Sequence, residues 1–218
     1  VDLAANYARA NAASTDSLNV TDLSFLGSNL FASTKNAGMF VSADTGKHWA
    51  AFNSGLSESN INKIVVTGST LFIISSTNKL YQSNGFSWTS IQGGLSGGAV
   101  PTSLVAYGNN FLLGTLGNGI YKKAKSATTW VAANTGLSNQ NVSSVTANGN
   151  KIFAGTNGSG VFISDTATIS WSTVTIPSIS HTSIMGLDGS KVQAMASLGS
   201  YVFASYKGGL LTTTDNGT

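Results

Sequence analysis

Short apolar runs alternate with glycine turns along the whole chain. Gly27, Gly68, Gly108, Gly149 and Gly199 each separate two such runs, at spacings of 41, 40, 41 and 50 residues. A short alternating stretch precedes each glycine, as in Ile61-Asn62-Lys63-Ile64 and Val142-Ser143-Ser144-Val145. An apolar run follows it, as in Leu71-Phe72-Ile73-Ile74 and Ile152-Phe153-Ala154. Two apolar stretches around a glycine turn predict a β-hairpin. A third strand is predicted after a further Gly or Asn, as in Gly38-Met39-Phe40-Val41 and Gly160-Val161-Phe162-Ile163. A fourth opens on Trp49, Trp88, Trp130 and Trp171, spaced by 39, 42 and 41 residues. Three of these Trp strands lead into a Gly-Leu turn, at Gly55-Leu56, Gly94-Leu95 and Gly136-Leu137; the fourth departs, with Ile176-Pro177 near that place and an insertion before Lys191.

Four short antiparallel strands per repeat predict an all-β chain, a β-propeller of four-stranded antiparallel blades with about five repeats present. One such sheet cannot bury both faces alone, so neighbours must stack and form a continuous core. A tryptophan at a fixed place would fill the widening wedge between blades, each burying about 150–250 Å². A solenoid is the main competing architecture, but its repeats are usually shorter or contain helices. The expected division is 1–18 as an irregular leader or closing strand, then blades at 19–60, 61–101, 102–141, 142–191 and an incomplete 192–218.

Composition narrows the class. Charged residues make up 9% of the 218, well below the roughly 25% of a typical soluble protein. Gly, Ser, Thr and Asn carry the polar share, which disfavours long helices. Ten of the eleven basic residues are lysines, scattered except for Lys122, Lys123 and Lys125, and the single arginine is Arg9. Nucleic-acid binding would need a basic stripe interleaved with aromatics, and none is visible. Cysteine is absent, which excludes disulfides and thiolate zinc sites. No apolar run reaches membrane-spanning length. The low charge with high Ser/Thr/Asn/Gly content resembles exported surface proteins of bacteria, so a secreted or cell-surface location is expected.

One turn carries a specific motif. Ser42-Ala43-Asp44-Thr45-Gly46-Lys47-His48-Trp49 is a full Ser-x-Asp-x-Gly-x-x-Trp pattern, the Asp-box. The chain thus resembles Asp-box (BNR) propellers, over residues 19 to 218. That superfamily spans sialidases, sortilin-like receptors, xyloglucan-active glucanases and photosystem II assembly factors. Other boxes are degenerate: Ser83-Asn84-Gly85 before Trp88, Lys125-Ser126-Ala127 before Trp130, and Ser164-Asp165 before Trp171. A fifth, with Asp215 and Gly217, stops where its Trp should come. That unfinished box leads us to expect a fragment of a ring of roughly six to eight blades, with residues 1–18 completing the last blade as the alternative. Ser42, Asp44, Gly46, Trp49, Trp88, Trp130, Ser164, Asp165, Trp171, Asp215 and Gly217 are expected to be structural. An Asp here accepts backbone hydrogen bonds and pins the turn, Gly supplies positive φ, and Trp anchors the loop.

Catalytic chemistry is poorly supplied. The resemblance implies that sialidases hold their substrate with several arginines, and a guanidinium fork is what pairs two carboxylate oxygens; one arginine argues against that activity. Glycosidases need two facing carboxylates, whereas only Asp22 is expected near a propeller channel. His48 and His181 have no ligand-spaced partner, so no metal or other cofactor is expected. No G-x-S-x-G elbow is present, and Gly155-Thr156-Asn157-Gly158-Ser159-Gly160 lacks the lysine and helix of a phosphate loop.

The chain is therefore expected to be no enzyme but a binding or structural module of an exported protein, with a protein or neutral glycan partner. Its binding face is expected on the loops between second and third strands, which carry Lys35, Asn36, Asn78, Asn118, Asn157, Tyr206 and Lys207. The alternative is the non-catalytic part of a larger carbohydrate-active enzyme. The repeat phrasing also looks like surface-protein arrays sent out by type IX secretion.

Overall fold

A computed structural model describes residues 18–174, 191–206 and 209–213. Residues 1–17 and the fifth box with Asp215 and Gly217 lie outside the described residues, as do His181 and Lys207. The described chain is all β, in five antiparallel sheets. They divide between two compact units, Val1–Gln92 and Gly93–Thr218.

The first unit holds two sheets. One contains β1 (Val20–Leu26), β2 (Asn29–Thr34), β3 (Met39–Ser42) and β4 (Ala50–Ala51). The other contains β5 (Ile61–Thr67), β6 (Thr70–Ser75), β7 (Leu80–Ser83) and β8 (Trp88–Ser90). In each, sequence order is spatial order, so every strand pairs with its chain neighbour. The second unit repeats this with β9 (Val100–Tyr107), β10 (Asn110–Leu116), β11 (Gly119–Ala124) and β12 (Val131–Ala132), then β13 (Val142–Asn148), β14 (Lys151–Thr156), β15 (Val161–Asp165) and β16 (Ser172–Thr173). A last sheet has three strands among the described residues, β17 (Val192–Leu198), β18 (Tyr201–Tyr206) and β19 (Gly209–Thr213). It leaves Leu198, Tyr201 and Leu210 exposed. Four-stranded meanders that pack on their successors are the blades of a β-propeller.

Local chemistry sets these elements. The β1–β2 hairpin turn and its four counterparts open on the repeat glycines, with φ of +60°, +59°, +49°, +58° and +59°. Positive φ at the first turn residue but not the second is the type II′ pattern, whose twist suits a two-residue hairpin. In the first four sheets the second strands are buried on both faces, which is why they read as continuous apolar runs rather than alternating ones. In the first unit Phe31 and Met39 of one sheet pack with Ile61, Leu71, Ile73 and Trp88 of the next. In the second unit Leu112 and Ile120 join Val142, Ile152, Phe162 and Trp171.

Each first strand also carries a register shift, at Thr21, Asn62, Thr102, Ser143 and Gln193. A bulge re-aims one side chain out of the ladder. At three of these positions a hydroxyl donates to the next sheet: Thr21 to the Ile61 carbonyl (2.5 Å), Thr102 to Val142 (2.9 Å) and Ser143 to Val192 (2.6 Å). The following residue accepts in return. Asp22 Oδ2 takes the Ile64 N–H at 2.9 Å, Ser103 the Val145 N–H at 2.8 Å and Ser144 the Met195 N–H at 3.0 Å.

The Gly-Leu turns lie against the tryptophan of the next sheet. A Cβ on Gly55 would collide with the Trp88 carbonyl oxygen, one on Gly94 with that of Trp130 and one on Gly136 with that of Trp171. The tryptophan N–H groups point back and donate to Ser54, Gly93 and Thr135 carbonyls, each at 2.8 Å. All four indoles are buried. Gly94→Ala is expected to cost about 2–4 kcal/mol in a denaturant melt, from positive φ and the backbone clash together. Gly97, with open space around its Cα, provides the control: Gly97→Ala should stay within about 0.5 kcal/mol of the parent.

Candidate functional site

The loops between second and third strands are short and held at their bases. In the first unit the Lys35 N–H donates to the Asn19 carbonyl and the Ser76 N–H to that of Asn60, both at 2.9 Å. In the second the Asn157 N–H donates to Asn141 (2.8 Å), and Gly117 and Gly119 both donate to Gln140. Asparagines in the Gly-Leu connectors clamp two of these loops. Asn53 Oδ1 accepts the Met39 N–H at 2.7 Å and its Nδ2 donates to the Ala37 carbonyl at 3.1 Å. Asn134 does the same with the Ile120 N–H (2.6 Å) and the Asn118 carbonyl (3.2 Å).

The structure places Lys35, Asn36 and Asn157 exposed and Asn78 and Asn118 half-buried on these loops. Asn78 takes the left-handed conformation at φ +63°, which Asn tolerates better than most residues. Tyr206 corrects the expectation of a displayed side chain. It is 5% exposed and packs with Val192, Val202 and Phe153. Its place on β18 shares the inward face with Val202 and Ala204, so the period-two alternation turns it toward the core. Beside the loops, Lys79 Nζ pairs with Glu58 Oε1 at 2.6 Å. Each raises the charged population of the other, holding Glu58 below and Lys79 above their ordinary pKa values.

The turns between third and fourth strands show how the tryptophans are fixed. At Ser42–Trp49, Asp44 Oδ1 accepts the Lys47 and His48 N–H groups at 3.0 and 2.9 Å and the Ser42 hydroxyl at 2.8 Å. Asp44 Oδ2 meets His48 Nδ1 at 2.5 Å. Thr45 and Gly46 both have positive φ, and the Gly46 N–H donates to Ser42 Oγ at 2.8 Å. The Trp49 indole N–H donates back to the Gly46 carbonyl at 3.0 Å. In the second sheet Asn84 Oδ1 takes this place, accepting Phe86 and Ser87 N–H groups at 3.0 and 2.8 Å.

The third and fourth turns are built differently. Lys123 pairs with Phe111 as Ser42 pairs with Leu30, so a lysine stands where the bracing serine belongs. It is 3% exposed, lies over the Phe111 and Trp130 rings, and donates from Nζ to the Ala127 carbonyl at 3.0 Å. Burial pushes its pKa down. At the fourth turn Ser164 Oγ accepts the Ser170 N–H at 2.8 Å. Asp165 does not brace this turn as expected; it reaches across the ladder to Lys151 Nζ at 2.8 Å. Trp171 is held by the preceding connector, its indole N–H on the Ala133 carbonyl at 2.8 Å. Trp88 is held likewise by Phe52 (2.7 Å).

The described carboxylates are thus all engaged: Asp22 on Ile64, Asp44 in its turn, Glu58 on Lys79 and Asp165 on Lys151. Among the described residues no three His, Cys, Asp or Glu side chains gather as metal ligands, and no helix is long and apolar enough to cross a membrane.

These features define a class, a β-propeller whose loop ends are braced by side-chain hydrogen bonds. Residues 8–135 match the DUF6242 β-propeller domain, and the chain belongs to that family. No curated protein matches it. Among solved structures it is similar to the extracellular domain of BT4673 from B. thetaiotaomicron, at 16% identity and a TM-score of 0.69 over 92% of this chain. It is also similar to YCF48 bound to D1 peptide, at 15% identity and 0.60 over 90%. A third likeness is to an ancestral GH74 enzyme, at 16% identity and 0.59 over 86%. The chain spans 28%, 63% and 27% of those three, respectively.

Two outcomes follow for the turns. Backbone donation from His48, then the His48 ring and the Ser42 hydroxyl, hold the Asp44 carboxyl well below its ordinary value of 3.8. A depressed folded-state pKa contributes stability that is complete above the unfolded value and fades as pH falls toward the folded one. Asp44→Ala is therefore expected to lower the thermal midpoint at pH 7, and circular dichroism melts should show that deficit shrinking below pH 3.8. A deficit independent of pH would show that the carboxylate charge is not what holds the turn. Lys123→Met leaves the Ala127 carbonyl without its donor and is expected to cost about 1–3 kcal/mol in urea unfolding.

Proposed function

We propose that this chain is a non-catalytic binding module of an exported or surface-displayed bacterial protein, built on an Asp-box type scaffold, and that it engages a protein segment through the loops between second and third strands of its first unit. The observation that carries this reading is the bracing of those loops. Their N–H groups are satisfied from behind by the Asn19 and Asn60 carbonyls, which leaves Lys35 and Asn36 displayed to solvent; Asn157 is exposed on the equivalent loop of the second unit. A preformed polar surface orders little on binding and so keeps more of its contact energy. The engagement of each described carboxylate in a structural bond supports a non-catalytic role. The D1 peptide bound to YCF48 and the extracellular location of the BT4673 domain support a peptide-like partner and an exported setting.

The test is a peptide display selection against the chain, followed by calorimetry with the selected peptides. Lys35→Ala and Asn36→Ala are each expected to weaken binding by about fivefold, with no change in melting temperature. Affinity that neither alters would overturn the assignment to these loops. The GH74 likeness favours a second reading, the non-catalytic part of a larger carbohydrate-active enzyme. Binding of an intact polysaccharide in place of any peptide would select it. Release of reducing sugar by the chain would overturn both.

A further inference from the structure

We propose that a cleft in the first unit, between β1–β2 and the β6–β8 region, binds one unit of a neutral saccharide. It lies at the hairpin-turn end of the sheets, opposite the loops discussed above, and so is a separate site. The cleft has a volume of about 270 Å³ and an apolar floor of Leu26, Phe31 and Leu71. Thr70, Gln82 and Asn84 stand around it, and no lining residue is charged. A volume below the roughly 300–1,000 Å³ of drug-sized pockets suits a single small ring. An uncharged lining that mixes hydroxyl and amide groups with apolar carbon matches a sugar, which presents hydroxyls at its edge and C–H groups on its faces.

The lining differs from that of the corresponding crossing in the second unit at four of its positions. Lys151 and Asp165 stand where this cleft has Thr70 and Asn84, and they form an ion pair at 2.8 Å. Ile163 stands at the place of Gln82, and the buried Tyr107 at the place of Leu26, packed with Leu112 and Ile152. Gln82, in contrast, is half-buried beside an open space, with a carboxamide that can both donate and accept.

The turn over the cleft is also altered. Ser83 to Trp88 is two residues shorter than Ser42 to Trp49, Lys123 to Trp130 or Ser164 to Trp171. That shorter turn puts Asn84 and Gly85 on the cleft and Phe86 at its apex, 86% exposed. Asn84 Oδ1 is occupied by the Phe86 and Ser87 N–H groups, so its Nδ2 is the part left to donate outward. An exposed phenyl ring beside amide and hydroxyl groups offers a flat apolar surface to the C–H face of a pyranose.

The proposal is tested by titrating the isotope-labelled 218-residue chain with glucose, galactose and N-acetylglucosamine, and with glucuronate as the charged comparison, following amide shifts. At least one neutral sugar is expected to move the Ser69, Thr70 and Gln82–Phe86 amides at millimolar concentration. Gln82→Val should weaken this about tenfold, as expected for losing hydrogen bonds to a polar ligand. The double change Thr70→Lys with Asn84→Asp, which copies the Lys151–Asp165 ion pair of the second unit, should abolish it. Lys35→Ala should leave it intact, which separates this site from the loop surface. Melting temperatures of each variant establish folding, and the wild-type shift map stands without them. No shift in these amides up to about 100 mM neutral sugar, a preference for glucuronate, or shifts that persist in the folded double variant would each overturn the proposal.

Discussion

The close approach of a glycine to the backbone of a tryptophan one sheet further along is the constraint on which the rest depends. At Gly55, Gly94 and Gly136 a side chain would occupy the space of the Trp88, Trp130 or Trp171 carbonyl. The tryptophan N–H returns a hydrogen bond to the connector, so the contact is both steric and polar. The Trp88 and Trp171 indoles then donate to the preceding connector, and the apolar faces of those sheets meet in a fixed register. The hydroxyl ties from Thr21, Thr102 and Ser143 secure three of the first strands in the same way at the other edge of their sheets.

Much of this was legible in the sequence because it is enforced by residues with few substitutes. A type II′ turn wants Gly at its first position, and the spacing of five such glycines exposed the repeat. Tryptophan is rare enough for four at near-equal spacing to mark the fourth strands. Asp44 could be assigned to its turn because Ser, Asp, Gly and Trp all stand at the motif's positions. The third expected blade began at residue 102, whereas β9 starts at Val100, because Pro101 sits where the register shift lets a strand accept a residue without an N–H.

The rest was hidden by chemistry that does not depend on residue identity. Lys123 reads as one of a lysine cluster, yet it stands at the serine's place and holds the third turn with the opposite polarity, its ammonium donating to the Ala127 carbonyl where Ser42 and Ser164 accept backbone N–H groups. Asp165 looked like a box residue, but its neighbour across the ladder is Lys151, fourteen positions earlier and invisible to a motif. Tyr206 follows from alternation rather than from its position next to a loop. The bulges that aim Thr21 and Ser143 leave no mark on the sequence. Nor does the cleft beside Gln82, which emerges when two missing turn residues and three substitutions on separate strands are brought together.

Because each four-stranded sheet is assembled from one contiguous stretch, with every strand paired to its chain neighbour, its ladder asks for nothing from distant sequence. Mostly local pairing keeps loop-closure entropy small and favours rapid formation. A polypeptide of this design can fold progressively during synthesis, each ladder closing from sequence already made. That stepwise order shortens the interval in which unpaired edges face other chains.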